Sequence, residues 1–331
     1  MPNESRTPSA NEPPESPVPA KEDLQIAVLV PCYNEGVAVG AVVRDFRQAL
    51  PQAAVYVYDN NSSDDTSEAA AAAGAVVRRE TRQGKGHVVR RMFADIDADF
   101  YVLVDGDDTY DASAAPKLVE LAVRENLAMV VGKRVHEQDA AYRPGHVLGN
   151  QMFTNSVKWI FGESVSDILS GYRVFSRRFA RSYPAFASGF ETETEFTVHA
   201  LNLQLPIGEI ETPYKARPTG SESKLSTYKD GFKILRMILR LTKSERPLAF
   251  FGAIAGLLFL LALGLAAPLL PTYLETGLVP RFPTAILATG IGVCGLMSLV
   301  CGFVLDTVTR GRREQKMLAY LAVDTRAPRR D

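Results

Sequence analysis

Cysteine is scarce in this chain of 331 residues: Cys32, Cys294 and Cys301 are the only three, far apart and without metal-ligand or disulfide-framework spacing. That sets thiol chemistry aside and places the soluble part in a reducing compartment. Charge of either sign is not in excess, because 37 Lys and Arg against 38 Asp and Glu leave a formal net charge of −1, which argues against a general nucleic-acid binder. Residues 1–20, MPNESRTPSANEPPESPVPA, have almost no large apolar side chain, so residues 1–22 read as a disordered tail. They also lack a basic start followed by an apolar run, which argues against a cleaved secretory signal.

From Leu24 onward, short β-prone runs alternate with helical stretches. LQIAVLV (24–30), AVYVYD (54–59), AVV (75–77), FYVLV (100–104) and LAMVVG (127–132) read as strands. Helical patterns separate them up to Leu50, over 64–73, near 85–97 and near 113–126. This order implies an α/β fold with a mainly parallel sheet covered on both faces, in which ligands bind at the carboxyl ends of the strands.

Three of those ends are polar: PCYNEG (31–36), DNNSSDDT (59–66) and DGDDTYD (105–111). Asp105, Asp107, Asp108 and Asp111 follow a buried-type strand, where close carboxylates repel one another and resist desolvation. An ordinary Asp-Gly turn is one reading, and a site for a divalent cation is the other. RQGKGH (82–87) adds glycines for close backbone approach, with Arg82 and Lys85 as partners for phosphate.

In their order and spacing, PCYNEG, DNNSSDDT, RQGKG and the Asp105-x-Asp107 pair resemble the family 2 glycosyltransferases over residues 24–230. The resemblance implies a Rossmann-like GT-A nucleotide-sugar domain in which Pro31, Tyr33, Glu35 and Asp59 hold base and ribose. Lys85 then lies on the phosphate side, and Asp105 and Asp107 reach the diphosphate through Mg²⁺ or Mn²⁺. Asn60 and Asn61 depart from the more usual Asp-Asp-Gly-Ser form.

DILSGYRVFSRRF (167–179), GFETETEFTVHAL (189–201) and RPTGSESKLSTYKDGF (217–232) are similar to the subgroup that glycosylates polyprenyl or dolichyl phosphates. In that subgroup the middle segment lines the acceptor side of the donor pocket, and the last is a mobile loop beside the membrane. A solvated helix face for Glu191, Glu193 and Glu195 and a plain polar linker for 217–228 are the alternatives. Arg173 and Lys224 are assigned to the acceptor phosphate. Lys85 or Arg134 assists the leaving group, and Asp167 and Glu193 position groups more than they abstract protons. His199 reads as a packed helix residue. The single tryptophan, Trp159, reads as core or membrane-interface packing, and because Ser156, Val157 and Lys158 precede it, the Gln-x-x-Arg-Trp element of processive synthases is missing.

Leu248–Leu270 and Phe282–Leu305 carry no charged residue, and each exceeds the roughly 20 residues that cross a bilayer, so a transmembrane hairpin is expected. Lys243 and Arg246 before it and Arg310, Arg312, Arg313 and Lys316 after it put both ends in the cytoplasm. Gly252 and Gly256 offer a small-residue face for hairpin packing or for pairing subunits into a homo-oligomer. Residues 229–246 place Lys233, Arg236, Arg240 and Lys243 among apolar residues, as in a helix lying among lipid headgroups, although a soluble amphipathic helix fits the same spacing.

The expected organisation is therefore a tail (1–22), a catalytic domain (23–228), a juxtamembrane helix (229–246), two spans (247–309) and a basic cytoplasmic tail (310–331) on the inner membrane. The expected activity is metal-dependent, inverting transfer of one sugar from a nucleotide-sugar, UDP before GDP, to a polyprenyl phosphate. A non-catalytic nucleotide-sugar-binding scaffold and a transferase acting on another lipid acceptor are the rival readings.

Overall fold

The computed structural model describes residues 24–136, 155, 157–162, 165–184, 192–215, 236 and 238–324. The expected tail 1–22, Lys224 and the 217–228 loop, and Lys233 lie outside these residues.

Strands β1 (Ile26–Cys32), β2 (Ala54–Asp59), β3 (Val76–Arg79) and β4 (Phe100–Leu103) alternate with helices α1 (Gly36–Ala49), α2 (Thr66–Ala72) and α3 (Lys85–Asp95). After a short 3₁₀ turn come α4 (Ala115–Arg124) and β5 (Met129–His136), then β6 (Arg173–Ser176), α5 (Arg177–Ser182), α6 (Thr192–Asn202) and β7 (Ile207–Tyr214). The seven strands form one sheet in the order β3-β2-β1-β4-β6-β5-β7. β6 runs against both β4 and β5, and the other pairs are parallel. Apolar clusters cover both faces: Met92, Phe93, Phe175, Phe179 and Phe196 gather on one, and Val39, Phe46, Val102, Leu118 and Tyr172 on the other. The mainly parallel sheet agrees with the sequence pattern. β6 and β7 do not appear in it, because β6 is only four residues long and opens with an arginine, and β7 is interrupted by Gly208 and Pro213.

The carboxyl-terminal part consists of α7 (Pro247–Ala266), a short α8 (Leu269–Thr276) and α9 (Phe282–Ala322). α7 and α9 are long and apolar enough to cross a bilayer, and their apolar windows are only 6% and 17% buried, unlike core helices of a soluble domain. They pack on each other as a hairpin. Gly252 and Gly256 have nothing within 4 Å of an added Cβ, so they do not make that contact. The close approach comes instead from Gly295, against Phe259 and the Ala255 carbonyl, and from Gly302, against Phe251 and Leu248.

α9 has 41 residues, about 62 Å at 1.5 Å per residue, twice the roughly 30 Å of a hydrocarbon core. Its second half returns to the sheet domain. Met317 and Tyr320 pack against the aromatic cluster, Arg178 Nε donates to the Val323 carbonyl (2.9 Å), and the same guanidinium lies 5.9 Å from the Tyr320 ring. The chain entering α7 is tied down as well: Asn202 donates to Glu245 (2.6 Å), Arg246 Nε to the Ile160 carbonyl (2.7 Å), and Thr309 of α9 to the Ser244 carbonyl (3.2 Å). In the helical residues 238–245, Ile238 and Leu241 turn toward the core while Leu239, Arg240 and Lys243 are exposed. Trp159 is 62% exposed, which excludes the core half of its expected role.

His199 is a packed helix residue, as its position suggested. It meets the rings of Phe179 and Tyr183 edge-on at 5.2 and 5.6 Å, and burial, with a smaller effect from Lys316, lowers its pKa from 6.5 to about 3. Between those values the unfolded chain binds a proton that the folded chain refuses, so folding stability rises with pH there and falls as pH is lowered. Urea unfolding of the detergent-solubilised protein should lose about 2 kcal/mol between pH 7 and pH 5 through this group. His199→Phe should flatten that part of the profile, and an unchanged slope would refute the assignment.

Candidate active site

The polar groups collect at the carboxyl edge of the parallel strands β2, β1 and β4. There the backbone turns sharply, with Asn34, Asn61 and Asp108 in the left-handed region (φ 53, 64 and 56) just beyond the three strands. Side-chain bonds join the first two loops. Asn34 N–H donates to Ser62 Oγ (2.9 Å), Ser63 N–H to Asn34 Oδ1 (2.8 Å), Glu35 N–H to Thr66 Oγ1 (2.9 Å) and Gly36 N–H to Asp64 Oδ2 (2.9 Å).

Asp59 ends β2 and is buried. Its carboxylate accepts from Ser62 N–H (2.8 Å) and Ser67 Oγ (2.7 Å), and although burial alone would raise its pKa, these bonds hold it below the usual value. Asn60, which stands where the family form has an acidic residue, acts as a clamp: its amide donates to the carbonyls of Glu80 (2.9 Å) and Arg82 (2.8 Å) and its oxygen accepts from Gly84 N–H (2.7 Å). The turn before α3, with Gly84 at φ 129, is thereby fixed and Lys85 is delivered to the first position of the helix.

Lys85 Nζ reaches Asp105 Oδ1 at 2.5 Å and is also paired with Glu193, on the first turn of α6. Burial would lower its pKa, and the two carboxylates overcome this and hold the ammonium firmly charged. Asp107 is buried and accepts from the Thr109 hydroxyl (2.6 Å). Cys32, buried at the end of β1, records how much negative charge faces the cleft: its thiol is pushed well up by burial and, in addition, by Glu35, Asp59, Asp105 and Asp107. Two glycines make the convergence possible. A Cβ on Gly106 would lie 2.5 Å from Cys32 Sγ, and one on Gly171 would lie 2.3 Å from Asp105 Oδ2.

On the β5 side, Asp167 holds Arg134 with two bonds, from Nε (2.7 Å) and Nη2 (2.8 Å), and also accepts from the Arg134 N–H (3.2 Å). Burial opposes ionisation of Asp167, and Arg134 reverses that and keeps the carboxyl below its usual range. The Tyr214 ring lies 5.4 Å from the guanidinium carbon. Arg173 pairs with Leu103, the last residue of β4, but its side chain does not open into the cleft. It is fully buried, and its guanidinium donates to the Ser170 carbonyl (2.9 Å), the Ile168 carbonyl (2.6 Å) and Thr197 (2.9 Å). Burial lowers its pKa to about 10, and with its donors occupied by these acceptors it acts as an internal brace and not as an exposed phosphate ligand.

The family that these motifs resembled is matched directly. The Glycosyl transferase family 2 model covers residues 27–183. Glycosyltransferase AglJ of Haloferax volcanii is 31% identical over 296 residues, 88% of this chain and 95% of that protein. This chain belongs to glycosyltransferase family 2. A dolichyl-phosphate hexose transferase of the same organism is 27% identical over 222 residues, 67% of this chain and 95% of that protein. Among solved structures, glucosyl-3-phosphoglycerate synthase from Mycobacterium tuberculosis in complex with Mn²⁺, UDP-glucose and phosphoglyceric acid aligns with a TM-score of 0.56 at 22% identity, over 67% of this chain and 80% of that one. That likeness establishes the GT-A-like fold.

The donor set at β4 fits a hard divalent cation of the kind that family uses. Asp105 and Asp107 present carboxylate oxygens, and an ammonium already sits on Asp105 where positive charge is wanted. Among the described residues no cluster of three or more His, Cys, Asp or Glu could hold a metal, so a cation at this pair would need further ligands from outside it. The pairing of Lys85 with Glu193, 108 residues away, and the clearance at Gly171 carry no local sequence signal.

Gly171→Ala should displace Asp105 without unfolding the chain, costing about 1–3 kcal/mol of stability. Calorimetric binding of UDP in the presence of Mn²⁺ should weaken by about tenfold, and wild-type binding would show that Asp105 does not need that space.

Proposed function

We propose that this protein is a membrane-anchored, inverting glycosyltransferase that moves one sugar from a nucleotide-sugar, a UDP-sugar before a GDP-sugar, to the phosphate of a polyprenyl lipid. The observation that carries the reading is the cation-ready carboxylate edge of β4 in a domain tied at two separate points to an apolar helical hairpin. The dolichyl-phosphate hexose transferase among its relatives points to the same acceptor chemistry.

In this reading Pro31, Tyr33, Glu35 and Asp59 frame the nucleoside, and Asp105 and Asp107 hold Mg²⁺ or Mn²⁺. When bound, the cation neutralises charge developing on the departing diphosphate. A phosphate oxygen of the lipid forms the new bond to the anomeric carbon from the side opposite the diphosphate, whose oxygen–carbon bond breaks. A phosphate monoester with a second pKa near 6 is largely dianionic at pH 7, so no side chain has to remove a proton. Asp167 orients Arg134, which replaces Arg173 in the assignment to the acceptor phosphate, together with Lys224. Membrane lipids are the third partner: both ends of the hairpin face the cytoplasm, with Lys243 and Arg246 on one side and Arg310, Arg312, Arg313 and Lys316 on the other.

Full-length protein given Mn²⁺ or Mg²⁺, polyprenyl phosphate and a panel of labelled UDP- and GDP-sugars should yield a singly glycosylated lipid and free nucleoside diphosphate. Asp105→Asn or Asp107→Asn should lower the rate by about a hundredfold or more. A polymeric product, release of nucleoside monophosphate, or equal transfer to the dephosphorylated polyprenol would each overturn the reading. Accessibility tags at Ser5 and Asp331 should report the cytoplasm and one at Glu275 the opposite side, and termini on opposite sides would refute the hairpin topology.

A further inference from the structure

Lys85 comes from the start of α3, Asp105 from the end of β4 and Glu193 from the start of α6, so three separate elements meet at one ammonium group. Surface ion pairs of long side chains contribute little, but this one is enclosed: the side chains of Lys85 and Glu193 are 15% and 6% exposed, and only Asp105, at 31%, opens toward the cleft. Asp107 and Asp59 join Asp105 in the negative charge that acts on the Cys32 thiol, and Arg173 is committed to the carbonyls of Ile168 and Ser170. Lys85 is therefore positioned at the same carboxylate that the metal reading assigns to the divalent cation.

We propose that Lys85 is the resident counter-ion of the donor site, neutralising Asp105 and Glu193 until a divalent cation arrives with a nucleotide diphosphate. The inference rests on the metal-assisted reading above and adds an order of events. A bare cation must compete with an ammonium at 2.5 Å from Asp105 and so binds weakly. A cation bound to a diphosphate brings negative charge that Lys85 can follow, so the ammonium leaves the carboxylate for a phosphate oxygen. Metal and nucleotide then bind as a unit, each raising the affinity for the other. Glu193, released from Lys85 in the same step, becomes available on the acceptor side only when the donor is in place. Lys85 is in this sense a positioning residue for the cation as well as a phosphate contact.

The test is Mn²⁺ binding to the purified full-length protein in detergent, read from the loss of the free-ion electron paramagnetic resonance signal, with and without UDP or GDP. In the wild type, nucleotide should tighten Mn²⁺ binding by about tenfold or more. Lys85→Met, which removes the competing charge, should tighten binding of Mn²⁺ alone by about tenfold and shrink the nucleotide effect, while Lys85→Arg should retain the wild-type pattern. Glu193→Gln, which leaves Lys85 to Asp105 alone, should weaken bare Mn²⁺ binding further. Circular dichroism establishes that each variant is folded. If the wild type binds Mn²⁺ with nucleotide and folded Lys85→Met binds the bare ion no more tightly, this inference is overturned and the metal-assisted reading stands. If the wild type binds no Mn²⁺ with either nucleotide, both fall.

Discussion

A cluster of carboxylates at the end of a buried strand is unstable unless positive charge meets it, and the architecture of this protein depends on how that need is met. Lys85 supplies the charge, and to bring it there the chain must hold the turn before α3 in place, which Asn60 does by committing its whole amide to the backbone of residues 80–84. Glu193 must come from the far side, so α6 has to begin beside β4. Space must be kept as well, and Gly106 and Gly171 are the positions where a single methyl group would push Cys32 or Asp105 out of line. These are separate requirements on residues scattered over half the chain, all serving one patch at the strand ends.

The buried brace made by Arg173 belongs to the same arrangement. An arginine without solvent is costly unless its donors are filled, and here the Ile168 and Ser170 carbonyls and Thr197 fill them. The brace therefore locks the turn 168–171 to α6. That turn carries Gly171, on which Asp105 rests, and directly follows Asp167, which aims Arg134. The interior cation thus fixes the surroundings of both Asp105 and Arg134 without itself opening into the cleft.

Much of this was legible in the amino-acid order and some of it could not be. Strands β1, β2 and β4 announce themselves because an apolar β-branched run ends abruptly in Asp, Asn and Gly, and the site residues sit at those breaks. The pattern fails where a contact depends on two distant segments. The resemblance of its segment to the polyprenyl-phosphate subgroup assigns Arg173 to the acceptor phosphate, and nothing local shows that three acceptors from residues 168, 170 and 197 enclose it. β6 was hidden by the same arginine. In the hairpin, Gly252 and Gly256 had the spacing of a packing face, but the rotation of α7 against α9 turns them outward and gives the close contact to Gly295 and Gly302. Small residues permit an approach; the partner helix decides where it occurs.

The anchor also matters for the chemistry, because of its length. A helix that only crossed a bilayer would leave the catalytic domain on a flexible leash. α9 runs on to Ala322 and closes onto the aromatic cluster through Met317 and Tyr320, while the chain entering α7 is bonded to residues 160 and 202 of the sheet domain and to Thr309 of α9. Two points of attachment on one rigid hairpin remove the swinging freedom that a single tether leaves, so the carboxyl edge of the sheet keeps one orientation toward the hairpin. For a reaction whose acceptor is held at a bilayer surface, that orientation does part of what a binding pocket does for a soluble substrate: it restricts the approach before any contact is made. The exposed Trp159, close to the Ile160 carbonyl that Arg246 grips, lies at the same junction, where an aromatic ring with one apolar and one polar side is best accommodated. The carboxyl edge of the sheet and the apolar hairpin are in this way one mechanical unit, and in the proposed function the sheet would hold the donor while the surface under the hairpin brings the acceptor.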